Sequence, residues 1–173
     1  MTDLLLVRHG ETDWNSEGRW QGHADIPLNE RGRSQAQTLA EDLLAEASVD
    51  VVYASDLVRA RETAEIVARR LGVEIVFDRD LREIDVGSRE GRTWIEIDDQ
   101  GEWDGEPLEA HADRVLRALR RAARAHDGGR ILVVTHGGSV RRVHEHIGLE
   151  IARIENCSVW ACAVENDAFR ALG

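Results

Sequence analysis

Lysine is missing from this 173-residue chain, so all 22 of its non-histidine basic residues are arginines. Genomic base composition would account for such a bias, but arginine also presents a rigid fork suited to phosphate, so each one has to be judged by its place. Cysteine is scarce as well. Cys157 and Cys162 are the two, and their odd separation turns them to opposite faces of a strand. A disulfide framework is not expected, and a reducing cytoplasm fits best. No apolar run is long enough to span a bilayer, and no charged leader with a hydrophobic segment opens the chain. A cytoplasmic protein with no membrane partner is therefore expected. The formal charge of -11 would repel a phosphate backbone, which argues against a nucleic-acid partner. The length suits one domain over residues 1–173, with a core large enough to need no covalent or metal staple.

What is present alternates between strand and helix signals. "DLLLVRHG" is a continuous aliphatic run closed by Gly10, the pattern of a strand buried on both faces. "NERGRSQAQTLAEDLLAEA" reads as a helix capped by Asn29, and "VDVVYAS" as a second strand. Ser55 or Asp56 can cap a third segment, a helix with Leu57, Ala60, Ala64, Val67, Ala68 and Leu71 on one face. "VEIVFD" is a short strand, followed by a loop-like stretch from Leu81 to Glu106. Pro107 suits the first turn of a helix to about Ala125, with Leu108, Ala112, Val115, Leu116 and Leu119 on its stripe. "RILVVTHGG" is another buried strand, "SVRRVHEHIGL" a short helix, and "SVWACAV" with "AFRAL" around Asn166 and Asp167 a hairpin. The order predicts an α/β fold, a three-layer α/β/α sandwich with a mostly parallel central sheet.

Arg8 and His9 follow one buried strand, Thr135 and His136 another, and Ser55 and Arg59 a third. Ligands of open parallel sheets bind outside the carboxyl ends of the strands, so these segments are expected to meet at one edge. Gly10, Gly137 and Gly138 permit tight turns there, and the helix near Gly138 can present amides to an anion. Arginine forks favour phosphoryl oxygens and stabilise their charge in transfer. A neutral imidazole can attack phosphorus, and a carboxylic acid can then protonate the departing alkoxide. Glu83, in "LREIDVG", is placed for that acid; an ion pair with Arg82 is the alternative. For His9 and His136 the alternative is a pair of satisfied buried histidines.

"LVRHGETDWN" resembles the signature of the histidine phosphatase superfamily, which includes the cofactor-dependent phosphoglycerate mutases, and "LNERGRSQA", "YASDLVRARETA", "LREIDVGSREG" and "VVTHGG" extend the resemblance in order through nearly the whole chain. The resemblance implies a phosphoglycerate mutase-like fold with His9 as nucleophile, Glu83 as proton donor, and Arg8, Arg59 and His136 in the phosphate pocket. It places Asn15 on the phosphate, Gly137 as an amide donor and Gln21 in the substrate-binding loop, and it allows a homodimer.

In the mutases of this family, a long insertion after the acid glutamate and a carboxyl-terminal tail cover the site and keep the phosphohistidine dry. Here the span from Glu83 to His136 leaves a short lid segment at about 84–106, no tail follows the hairpin, and the insertion's lysine is missing. The expectation is a metal-independent phosphomonoesterase for small phosphorylated metabolites, with no cofactor and a small-molecule phosphomonoester as partner. A phosphoglycerate mutase and a non-catalytic phosphate-binding module are the alternatives.

His144 and His146 do not share a helix face, and no H-E-x-x-H motif or cysteine cluster occurs, so no metal site is read. His23, His111 and His126 are expected in solvent. The acidic loop "EIDDQGEWDGE" lacks EF-hand spacing and reads as solvated charge. Trp14, Trp20, Trp94 and Trp103 either rim the pocket or plug a small core beneath irregular loops, with Trp14 and Trp94 carried as substrate-binding candidates.

Overall fold

The structure, a computed structural model, describes residues 1–46, 48–97, 102–150 and 153–172. Its centre is a six-stranded sheet built from β1 (Thr2–Arg8), β2 (Val51–Ala54), β3 (Ile75–Phe77), β4 (Arg130–Thr135), β5 (Val159–Glu165) and β6 (Ala168–Ala171), in the order β3-β2-β4-β1-β5-β6. The first four strands of that order run parallel, while β5 and β6 are antiparallel. Asn166 and Asp167 turn the β5–β6 hairpin with φ of 50° and 66°, the double left-handed pair that matches strand twist.

Side-chain alternation divides the core between the two faces of the sheet. Leu4, Leu6, Val51, Tyr53, Ile131 and Val133 point to one face, beneath α4 (Leu108–Ala125) and α5 (Gly137–His146). Val7, Val52, Ala54, Leu132 and Val134 point to the other, beneath α2 (Glu30–Glu46) and α3 (Val58–Leu71). A four-residue helix, α1 (Asp13–Ser16), follows β1 and is closed by a capping box between Thr12 and Asn15. The two layers of helices and the sheet are the architecture expected from the sequence. Among the described residues no helix is long and apolar enough to cross a membrane.

Two local expectations are corrected. The first turn of α3 is not capped by Ser55 or Asp56. Its Val58 amide donates instead to Asp25 Oδ1 at 2.6 Å, from a loop 33 residues earlier, while the Asp56 carboxylate is drawn into a two-pronged pair with Arg82. Asn29, by contrast, does cap α2, accepting from the Gly32 amide at 2.8 Å. On α4 the buried stripe starts at His111 rather than Leu108, which is 54% exposed. Helix α2 ends at Glu46; Ala47, the last residue of the segment expected to be helical, lies outside the described residues, as do residues 98–101 of the acidic loop.

Register levels the strand ends that matter. Arg8 pairs with Thr135 across β1 and β4, and Ala54 with Val134 across β2 and β4, so His9, His136 and Ser55 leave the sheet at one height. Chain direction reverses here: β1 leads through α2 toward β2, while β4 leads through α5 to β5, on the opposite side. A crevice opens at such a switch point.

Candidate active site

The crevice is a cleft of about 600 Å³ lined by residues from every segment that ends at this edge, among them Arg8, His9, Arg59, Glu83 and Gly137. A larger groove of about 780 Å³ lies between α2 and the β1–β5 face and takes in none of these residues. His9 is almost fully buried, at 3% exposure. Its Nδ1 lies 2.7 Å from its neighbour's carbonyl, Gly10 O, which can only accept, so the proton resides on Nδ1. Nε2 is therefore unprotonated, and its lone pair accepts from Arg59 Nε at 3.2 Å. Gly10 is required for this turn: a Cβ there would lie 2.5 Å from the Gly32 carbonyl at the start of α2. From the other side, Asn156 donates to the His9 carbonyl at 2.8 Å.

Arg59 is fully buried and ties the loop after α1 to the nucleophile candidate, with Nη1 donating to Ala24 O at 2.7 Å and Nη2 to Gly22 O at 2.8 Å. Burial pulls its pKa down to about 10, which still leaves it charged at neutral pH. Arg8 is lowered for the same reason and is steered by a bond to Ile154 O at 2.7 Å. His136, fully buried, packs edge-on to His9 with ring centroids 5.2 Å apart. Its Nε2 lies 2.8 Å from Ser55 Oγ, and its Nδ1 has no partner among the described residues.

Glu83 closes the cleft from the segment after β3. Its carboxylate accepts from the Gly138 amide at 3.0 Å and from its own neighbour Ile84 at 2.9 Å. A side chain at Gly138 would collide with that carboxylate, so the second glycine of "THGG" makes the approach possible. Arg82 does not pair with Glu83, being committed to Asp56. The backbone beneath is held by Arg114, which donates to the carbonyls of Asp80, Arg82 and Glu83 at 2.9, 2.7 and 2.7 Å while Glu106 grips its guanidinium.

Of the residues expected here, Arg8, His9, Asn15, Gln21, Arg59, Glu83, Trp94 and Gly137 line the cleft, and His136 stands behind His9. Trp14 is the exception. It is absent from the lining and packs against Gly91, where a Cβ would meet its ring at 3.2 Å. Trp20 takes the place expected of it, tilted against Trp94 with centroids 4.4 Å apart. Trp94 is 69% exposed at the rim, while Trp103 leans toward Trp20 from behind. Thus Trp20 and Trp94 face the cleft and Trp14 packs under its loop.

His111 is corrected from solvent to core: it is 1% exposed and lies 3.0 Å from Ser139 Oγ. His23 is half-buried, 2.8 Å from the Glu83 carbonyl. Sequence reasoning also passed over Arg114 and Asn156. Arg114 sits on the α4 face that Leu81 and Glu83 approach, and only the fold reveals what it holds. Among the described residues no group of three or more His, Cys, Asp or Glu side chains is arranged to hold a metal ion. Cys157 and Cys162 are both free thiols.

Burial, reinforced by the charges of Arg59 and Arg8, holds His9 well below the ordinary imidazole pKa; burial and Arg59 do the same to His136. Burial also lowers His111, to about 4, against the opposing pull of Glu83. In the unfolded chain these rings protonate below about pH 6.5, so the unfolded state binds the extra protons. The stability gained by keeping them neutral is complete above that pH and is lost as pH falls toward the folded values. For His111 the loss at pH 5 is on the order of 2 kcal/mol. The urea midpoint is expected to drop between pH 7 and pH 5, and to drop less in His111→Phe; equal drops would contradict the neutral, buried state of His111.

Comparisons with known proteins give the family. The family model of the histidine phosphatase superfamily, branch 1, matches residues 4–172. The chain is 41% identical to phosphoglycerate mutase-like protein 4 of Arabidopsis thaliana, over 88% of this chain and 74% of that protein. It is 39% identical to the metal-independent phosphoserine phosphatase of the same plant, over 85% of this chain and 69% of the relative. Among solved structures, the mycobacterial glucosyl-3-phosphoglycerate phosphatase complexed with VO3 superposes with a TM-score of 0.87 at 26% identity, covering 97% of this chain and 95% of that one. With His9, Arg59 and Glu83 in one cleft and His136 packed against His9, the chain belongs to branch 1 of the histidine phosphatase superfamily.

Proposed function

We propose that this protein is a metal-independent phosphomonoesterase that hydrolyses small phosphorylated metabolites, of the sugar phosphate or phosphoglycerate type, through a phosphohistidine on His9. The observation that carries the reading is the state of the His9 ring: proton fixed on Nδ1 by Gly10 O, and Nε2 unprotonated in an arginine-lined cleft opposite a carboxyl group. Arg8, Arg19, Arg59, Arg141 and Arg153 all line that cleft in a chain whose net charge is negative, which draws a compact anion inward. The names of two relatives, a phosphoserine phosphatase and a glucosyl-3-phosphoglycerate phosphatase, support the same class of substrate.

On binding, a phosphoryl oxygen draws the Arg59 guanidinium away from Nε2, freeing the lone pair. Arg8, Arg59, Asn15 and the Gly137 amide surround the phosphoryl oxygens, Gln21 borders them, and His136, its Nε2 paired with Ser55 Oγ, offers an Nδ1 that has no partner among the described residues. Nε2 bonds to phosphorus as the bond to the ester oxygen breaks, and Glu83 passes its proton to the departing alkoxide. Water then attacks phosphorus, gives a proton to the Glu83 carboxylate and releases His9 with inorganic phosphate. Because burial and the neighbouring arginines hold His9 neutral below the ordinary imidazole range, the acid side of the activity profile is expected at lower pH than an ordinary histidine would set.

The test is release of inorganic phosphate from an aryl phosphate and from phosphoglycerate in excess chelator, together with mass-spectrometric detection of phosphate on His9 after acid-free quenching. Release in chelator with a modified His9 supports the reading. Isomerised phosphoglycerate without release would replace it with a mutase. Glu83→Gln is expected to lower kcat/KM, which reports transfer to His9, by about 10²-fold for an alkyl ester and far less for an aryl ester, whose leaving group needs no proton. Equal losses of kcat/KM on both esters would remove Glu83 from the acid role.

A further inference from the structure

We propose that His111, on α4 behind the cleft, is a positioning residue whose Nε2–H stabilises the carboxylate form of Glu83, the form required when water attacks the phosphohistidine. The proposal rests on the phosphatase reading above and deepens it. Ser139 Oγ donates its single proton to the Arg82 carbonyl at 3.3 Å, so it can only accept from His111 Nε2, 3.0 Å away. The imidazole proton is thereby placed on Nε2. The same nitrogen lies 4.0 Å from Glu83 Oε1, the oxygen that also receives the Ile84 amide. His111 is 1% exposed and Glu83 17%, so little water weakens this dipole.

Glu83 has to serve both half-reactions, as an acid when the ester leaves and as a base when water enters. Two amides, from Ile84 and Gly138, donate to its carboxylate, and the His111 N–H dipole, directed to Ser139 with its nitrogen 4.0 Å from Oε1, lies beside it; together they favour the second state. The titratable and charged groups around the pair are Arg114 and Glu106 beside α4, His136 and Arg142 at and on α5, His23 against the Glu83 carbonyl, and Arg8 and Arg59 across the cleft. All remain in place when His111 alone is changed. His111 itself stays neutral through the working range, since burial lowers it to about 4, so its dipole and not its titration acts on Glu83.

The experiment compares pH profiles of kcat/KM and the steady-state level of phosphohistidine in wild type, His111→Phe and His111→Gln, with folding checked by urea denaturation. Without the N–H, Glu83 keeps its proton longer. The alkaline limb is expected to move up by about half a pH unit or more, and phosphohistidine to accumulate at acidic pH. His111→Gln retains an N–H donor and is expected to return both toward wild type. A purely structural role would lower stability and overall rate without moving the limb. Should His111→Phe fail to fold, Ser139→Ala serves: it removes the competing acceptor, turns Nε2–H to Glu83 and is expected to move the limb down. A limb that superposes on wild type in a folded variant overturns the role of His111 alone, whereas turnover that survives His9→Ala overturns the phosphatase reading beneath it.

Discussion

Replacing His9 with alanine is expected to reduce phosphate release by on the order of 10⁴-fold or more, for aryl and alkyl esters alike. The loss is that large because no other group described as lining the cleft has His9's combination of an unprotonated ring nitrogen, a proton held at the opposite nitrogen and a buried guanidinium beside it. His136 is the other imidazole within reach, but its Nε2 is occupied by Ser55 Oγ and its ring stands edge-on behind His9. Binding should outlast turnover. Arg8 and Arg59 remain in the variant, so a non-hydrolysed phosphate ligand is expected to bind His9→Ala with an affinity close to that for wild type. Phosphate release and calorimetric titration of inorganic phosphate check the two halves separately. Retained release would show that attack on phosphorus does not come from His9, and lost binding would show that the variant damages the pocket rather than the chemistry.

Arg59→Ala is expected to damage both catalysis and the fold. The guanidinium is fully buried and joins three segments, through His9 Nε2 on one side and the carbonyls of Gly22 and Ala24 on the other. Removing it leaves those carbonyls without a donor and opens a cavity. A loss of about 2–4 kcal/mol in unfolding free energy follows, with activity reduced by about 10³-fold from the missing charge at phosphorus. Arg59→Lys separates the two effects. Its ammonium restores charge but cannot span three acceptors in a fixed plane, so stability is expected to recover less than phosphate binding does. Urea denaturation and phosphate titration on both variants decide it. If Arg59→Lys matched wild type in stability, the bracing of the 22–24 loop by the planar fork would be refuted.

Much of this molecule was legible in one dimension because strand and helix periodicities repeat over short distances. The glycine-closed aliphatic runs of β1 and β4, the Asn29 cap of α2 and the Asn166–Asp167 turn are all local matters, settled within a few residues by sterics and hydrogen bonding. So was the chemistry of the strand ends: Arg8, His9, Thr135 and His136 follow buried strands, and parallel strands put such ends on one edge.

Other features depend on residues far apart in the chain. Asp25 displaced Ser55 and Asp56 as the cap of α3 because Arg82, 26 residues further on, claims Asp56. Trp14, on α1, and Trp20, in the loop after it, are six residues apart, yet only Trp20 turns into the cleft, since Gly91 leaves room for Trp14 to pack away from it. His111 looked like any polar residue near a helix start, and became part of the core because α4 lays that face against Ser139 of α5 and the Glu83 segment. Residue order sufficed for the sheet, its edge and the residues that meet there, because those follow from local periodicity and strand direction. Which polar atoms pair, which rings line the cleft and what surrounds Glu83 were decided in three dimensions, because a buried donor takes whichever acceptor packing brings within 3 Å.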